Sequence, residues 1–148
     1  MAVRTYATDE DMMKLRPKIL SHGVEDWNDQ HVEAADIIER EIENKWYRDR
    51  AIERGEDPDS TTFNPNLLDG DQVKRAAVYK ALELAYLFLM SDTTEPGAFE
   101  REMLLFRDLF EDELRRVLVT GLGYDWDASG GITASERRER RFRRLRRM

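Results

Sequence analysis

Asp71–Met90 reads DQVKRAAVYKALELAYLFLM, and its reading decides the fold. The stretch has no Gly or Pro and is rich in Ala, Leu and Lys, so helix is its natural state. Charges sit in its first part, at Asp71, Lys74, Arg75, Lys80 and Glu83, whereas Leu84–Met90 is an unbroken apolar run. A helix that is apolar all round at one end has to be covered all round. The sequence therefore predicts a central helix with the rest of the chain as its cover. Replacing Leu87 by Asp is expected to abolish cooperative folding, because an unpaired charge would be buried. Asp69 or Asp71 can cap the helix start by accepting from free first-turn N–H groups. The stretch is too short and too interrupted by charge to span a bilayer.

On either side lie segments with the same period. A helix from about Trp27 to Glu53 carries His31, Ala35, Ile38, Ile42 and Trp46 three to four residues apart, with Glu33, Asp36, Glu39, Arg40, Glu43 and Arg50 opposite. Trp27, Trp46 and Tyr47 are packing residues, and His31, on the buried stripe, has a core role rather than a ligand's. After the central helix, Ser91–Gly97 is a loop. A helix from about Ala98 to Thr120 comes next, with Phe99, Met103, Phe106, Phe110, Leu114 and Val117 inward, ended by Gly121 and Gly123. Residues 1–7 read as extended, and Thr8 caps a short helix that Pro17 stops. His22 and Gly23 mark a turn. Residues 55–70, GEDPDSTTFNPNLLDG, form a long loop with Phe63 or Leu67 as an anchor. There is no internal repeat and no strand pair. The predicted fold is all-α: a bundle body of about four main helices over residues 1–123, then a calcium-type loop and Arg-rich segment over 124–148.

A chain of 148 residues is one domain with room for a real core. Charged residues make up 37% and apolar ones 41%, so the core is narrow and the helix surfaces heavily solvated. With no Cys, disulfides and thiolate metal sites are excluded, which fits a reducing compartment. The first residues form no apolar signal segment, so secretion is not expected. The net charge of −7 is unevenly spread. Residues 136–148 hold eight Arg and two Glu, a local +6, and the remaining residues carry −13. An acidic body with a basic tail can join like subunits head to tail, or seek a separate acidic surface or nucleic acid.

Chemistry concentrates in Asp125–Glu136, DWDASGGITASE. Oxygen-bearing side chains stand at window positions 1, 3, 5, 9 and 12, as Asp125, Asp127, Ser129, Thr133 and Glu136, with Gly130 at position 6 and Ile132 at position 8. This is the spacing of an EF-hand calcium loop, in which alternate residues converge on a hard cation. Gly131 supplies its carbonyl, Thr133 acts through water and Glu136 closes the site with both oxygens. The sharper reading is a structural calcium or magnesium ion. The plainer one is an Asx-rich turn before a helix capped by TASE at Thr133. Only one such loop is present, and the glycines break the helix before it.

The tail itself offers Arg137, Arg138, Arg140, Arg141, Arg143, Arg144, Arg146 and Arg147 for bidentate contacts with carboxylates or phosphates. Phe142, Leu145 and Met148 can seat it on an apolar groove. No Gly-rich phosphate loop and no Ser, His and Asp set stands out, so no enzyme is expected.

The order of these parts resembles the head-to-tail connector (adaptor, or head-completion) proteins of tailed bacteriophages. The resemblance rests on a short capped helix, HVEAADIIEREIE, a loop, VKRAAVYKALELAYLFL, EREMLLFRDLFEDELRRVL and a charged C-terminal extension. It implies a helical bundle whose copies, usually twelve, form a ring beneath the portal, with the C-terminal segment reaching to the portal side. The implied partners are the portal, tail-side connector proteins and packaged DNA, without a membrane. The implied location is the head-tail interface of a virion assembled in the bacterial cytoplasm. The long 55–70 loop and the complete calcium-type loop depart from the family. Two rival readings are a regulatory nucleic-acid-binding protein that uses the Arg tail and a calcium-binding EF-hand-like adaptor.

Overall fold

A computed structural model describes residues 4–57, 59, 62–94 and 96–128. Described in chain order are α1 (Asp9–Leu15), α2 (Asn28–Ile42), a π-helical turn (Glu43–Tyr47), α3 (Arg48–Glu53), a 3-10 turn (Pro65–Leu67), α4 (Gly70–Ser91) and α5 (Gly97–Thr120). The fold is all-α, and the described residues form no strand, only one isolated antiparallel bridge between Leu68 and Tyr124. None of the described helices is long and apolar enough to cross a membrane.

α4 is the central helix, as its sequence predicts. It packs most extensively on α5, then on α2 and α1. Val73, Ala76, Ala81, Leu82 and Ala85 are fully buried along it, and small side chains let neighbouring helices come close. Asp69 caps it by accepting from the Asp71 N–H. Its start is also crossed by the N-terminal arm. A Cβ on Gly70 would lie 3.3 Å from the Tyr6 ring, so glycine permits that close approach. Tyr6 in turn donates to Glu39 on α2 at 2.8 Å, and Arg4 pairs with the same oxygen.

The C-terminal end of α4 corrects the sequence reading. Leu87 is 44% exposed and Phe88 46%. Tyr86 lies stacked on Phe106 of α5, with centroids 6.0 Å apart, so one side of this end is sealed. Phe88 meets Trp27 edge-on, at 5.9 Å. Val73, Ala77, Leu84 and Phe88 recur on one face at helical spacing. That face is buried at Val73 and Ala77, half-buried at Leu84 and open at Phe88. The apolar end of the helix is thus covered on one side, at Ala85, Tyr86 and Leu89, and open at Leu87 and Phe88.

The long helix contains a second correction. His31, Ala35, Ile38, Ile42 and Trp46 are buried as expected. An unbroken α-helix would carry Tyr47 away from this stripe. The π-helical turn inserts one extra residue and rotates the residues after it, so Trp46 and Tyr47 both face inward. The stripe then continues through Arg50 and Ala51. Arg50, expected on the outer face, is therefore buried, and its guanidinium is 3.0 Å from Glu53.

Two acidic side chains are tied into the packing. Glu83 is buried and lies 3.0 Å from Lys80, whose ammonium sits 4.8 Å over the Phe110 ring. Asp9 lies 2.9 Å from Nε2 of the buried His31 and also faces the Trp27 N–H at 3.3 Å. That pairing ties the start of α1 to the start of α2. Thr8 caps α1 as expected, in a capping box with Asp11.

Candidate assembly site: the strap that leads to the basic tail

α5 ends where Gly121 takes a left-handed φ of 108°, a conformation that residues with a Cβ avoid. The chain then turns back across the start of α4. Leu122, Tyr124 and Trp126 alternate in sequence, and Leu122 and Tyr124 are buried. The backbone of this strap bonds to the loop before α4: the Asp69 N–H donates to Gly123 O at 2.9 Å, and the Asp125 N–H to Leu67 O at 2.9 Å. Gln72 grips both sides of it. Its Nε2 donates to Gly121 O at 3.2 Å, and its Oε1 accepts from the Gly123 N–H at 2.6 Å. The Asn64 N–H donates to the Tyr124 hydroxyl at 3.0 Å. Polar backbone that returns over a helix needs such partners, since an unsatisfied buried group is costly.

The strap also completes an aromatic cluster. Trp126 stacks on Tyr47 at 5.3 Å and meets Tyr124 edge-on at 4.7 Å. Tyr124 stacks on Phe63 at 5.7 Å. Phe63 is thus the loop anchor that the sequence offered, and the π-helical turn supplies Trp46 and Tyr47 from below. Arg54 lies 5.0 Å over the Trp126 ring, a cation–π arrangement. Burial holds the Tyr124 phenol above its usual range, with Tyr47 and Glu56 adding to the rise and the Asn64 N–H opposing it. The hydroxyl therefore stays neutral through ordinary pH.

Of the predicted metal ligands, Asp125 is buried at the end of the strap and Asp127 is exposed. The two flank Trp126 in a turn closed by the Ala128 N–H on Asp125 O at 3.1 Å. Ser129, Gly131, Thr133 and Glu136 lie outside the described residues. So do all the predicted partner-binding residues, Arg137, Arg138, Arg140, Arg141, Phe142, Arg143, Arg144, Leu145, Arg146 and Arg147. No group of three or more His, Asp or Glu among the described residues could hold a metal ion. α5 stops at Thr120, so the incoming helix of an EF-hand does not reach the loop.

Sequence reasoning missed Gln72, Asn64 and the anchoring role of Tyr124. The alternation of Leu122, Tyr124 and Trp126 was a period-two signal for an extended, half-buried segment. Nothing local marks Gln72, whose partners lie about fifty residues away in the chain. Comparison of the chain with protein-family models, with curated proteins and with solved structures finds no match.

Proposed function

We propose that this chain is a structural virion subunit, a head-to-tail connector that forms a ring between the portal and the tail of a bacteriophage. The strap carries the proposal. Its bonds to Leu67, Asp69 and Gln72 and its aromatic anchors hold residues 121–126 against the body. The chain that goes on to the +6 segment is therefore held on a −13 body up to Trp126. An acidic body with a basic extension suits a subunit that embraces a neighbour. The all-α bundle and the helix order resembling connector proteins agree with this role. The test is electron microscopy of the purified protein mixed with its portal. Rings with residues 137–148 ordered against protein are expected. A monomer that binds duplex DNA with steep salt dependence would favour the nucleic-acid reading instead.

A divalent cation in the Asp125–Glu136 loop belongs to this proposal as a structural clamp at the base of the tail. Calorimetric titration with calcium is expected to give heat that disappears in the Asp125→Ala, Glu136→Ala double variant while its melting transition persists. No heat at millimolar calcium would leave the loop as a turn. A single unpaired loop implies weak affinity in the free subunit, strengthened on assembly.

A further inference from the structure

We propose that the open end of α4 is the docking surface for the Arg-rich segment, residues 137–148, of a second copy of this chain. The inference rests on the connector assembly proposed for this chain and names where the tail goes. Ring contacts gather the parts of this surface. Phe88 meets Trp27 at 5.9 Å, Tyr86 meets Phe99 at 6.1 Å, and Phe99 meets His22 at 5.4 Å. The start of α5, the end of α4 and the turn before α2 therefore converge. Leu87 and Phe88 are the apolar centre, both more than two-fifths exposed.

The rim is acidic. Glu25, Asp26, Asp29, Asp92 and Glu100 are exposed in these segments, and no cation pairs with any of them among the described residues. The exposed cations in the same segments are Lys18 and Arg101. The negative end of the α4 dipole adds to the field. Its occupant needs positive charge around a few apolar anchors. Residues 137–148, RRERRFRRLRRM, have that pattern, with Phe142, Leu145 and Met148 among eight Arg.

The described strap passes beside Gln72, and Leu87 lies roughly 22 Å further along α4 at 1.5 Å per residue. The commitment to a second copy rests on charge: a −13 body and a +6 segment let like subunits join head to tail. Copies joined this way meet head to tail, a contact that closes into a ring or continues as a filament.

Two full-length variants test this by analytical ultracentrifugation at low salt. One is Leu87→Asp with Phe88→Asp; the other is Arg140→Glu, Arg141→Glu and Arg144→Glu. The parent is expected to gain mass with concentration and to lose it as salt rises. Each variant alone should associate at least about tenfold more weakly while melting like the parent. Mixed together they should form a dimer, because the intact tail of the first seats on the intact surface of the second. A patch variant that associates like the parent, a mixture that stays monomeric, or a parent that stays monomeric at every concentration overturns the proposal. The last result sends the tail to its own body or to nucleic acid. Portal rings formed by the patch variant would remove this surface and leave the connector reading standing; no portal ring from the parent would remove the connector reading itself.

Discussion

The two ends of α4 differ in a direction opposite to their composition. The first half carries most of the helix's charge, yet Val73, Ala76 and Ala77 there are buried, and the N-terminal arm, α1 and the strap all reach this end or the loop before it. The last two turns are almost wholly apolar, yet Leu87 and Phe88 are open. Hydrophobicity sets how strongly a face seeks cover, whereas connectivity sets whether cover is at hand. At the first end three non-local segments return to the helix. At the second, α5 seals one side and Trp27 meets Phe88 edge-on. The difference leaves one end tied into the fold and the other with exposed apolar side chains, the kind of surface the proposed docking requires.

The sharpest way to break this contrast is core truncation. Leu82→Ala removes a fully buried side chain and is expected to lower stability by about 3 kcal/mol in denaturant unfolding. Gln72→Ala leaves the Gly121 carbonyl and the Gly123 N–H without their partner and should lower stability by about 2 kcal/mol. Strap amides should then exchange faster, and Trp126 emission should shift to the red while α4 and α5 remain folded. Glu83→Ala strands the Lys80 ammonium beside Phe110, at about 1–2 kcal/mol because Lys80 still reaches solvent. The Lys80→Met, Glu83→Leu pair should recover much of that loss; no recovery would make the ion pair a net source of stability.

Alkali perturbs the fold more gently. Burial raises the phenols of Tyr6, Tyr86 and Tyr124 above their usual value of 10.0, with Glu39 adding to the rise at Tyr6 and Glu102 at Tyr86. A group that holds its proton more tightly when folded stabilises the fold fully below its unfolded pKa, and that stability is lost as pH rises. Melting temperature should therefore fall above about pH 10, and the fall should be shallower in Tyr124→Phe. The smallest expected effect is Leu87→Asp in the dilute monomer, within about 0.5 kcal/mol of the parent. A loss as large as that of Leu82→Ala would show the two ends to be equally buried.

Helix identity and the inward stripes of α2 and α5 were legible because apolar residues recur at the helical period. Capping by Thr8 and Asp69 was legible because short oxygen side chains at helix starts have one local use. The exposure of Leu87 was not. An apolar run states a demand for cover, and only the path of distant segments decides whether it is met. Arg50 was misplaced for a different reason: the π-helical turn at Glu43–Tyr47 shifts the register and has no compositional mark. Of the candidate site, the spacing from Asp125 to Glu136 was readable. The clamp that positions it was not, because Gln72 meets the strap only through the tertiary fold.

The central claim, that one end of α4 holds the fold while the other receives a neighbour, is tested most directly by hydrogen exchange of the full chain at low and high protein concentration. Peptides covering residues 84–91 and 21–29 should gain protection on association, while those covering 63–72 and 121–126 should exchange at the same rate throughout. Protection that grows only at the strap end, or nowhere along α4, would contradict it.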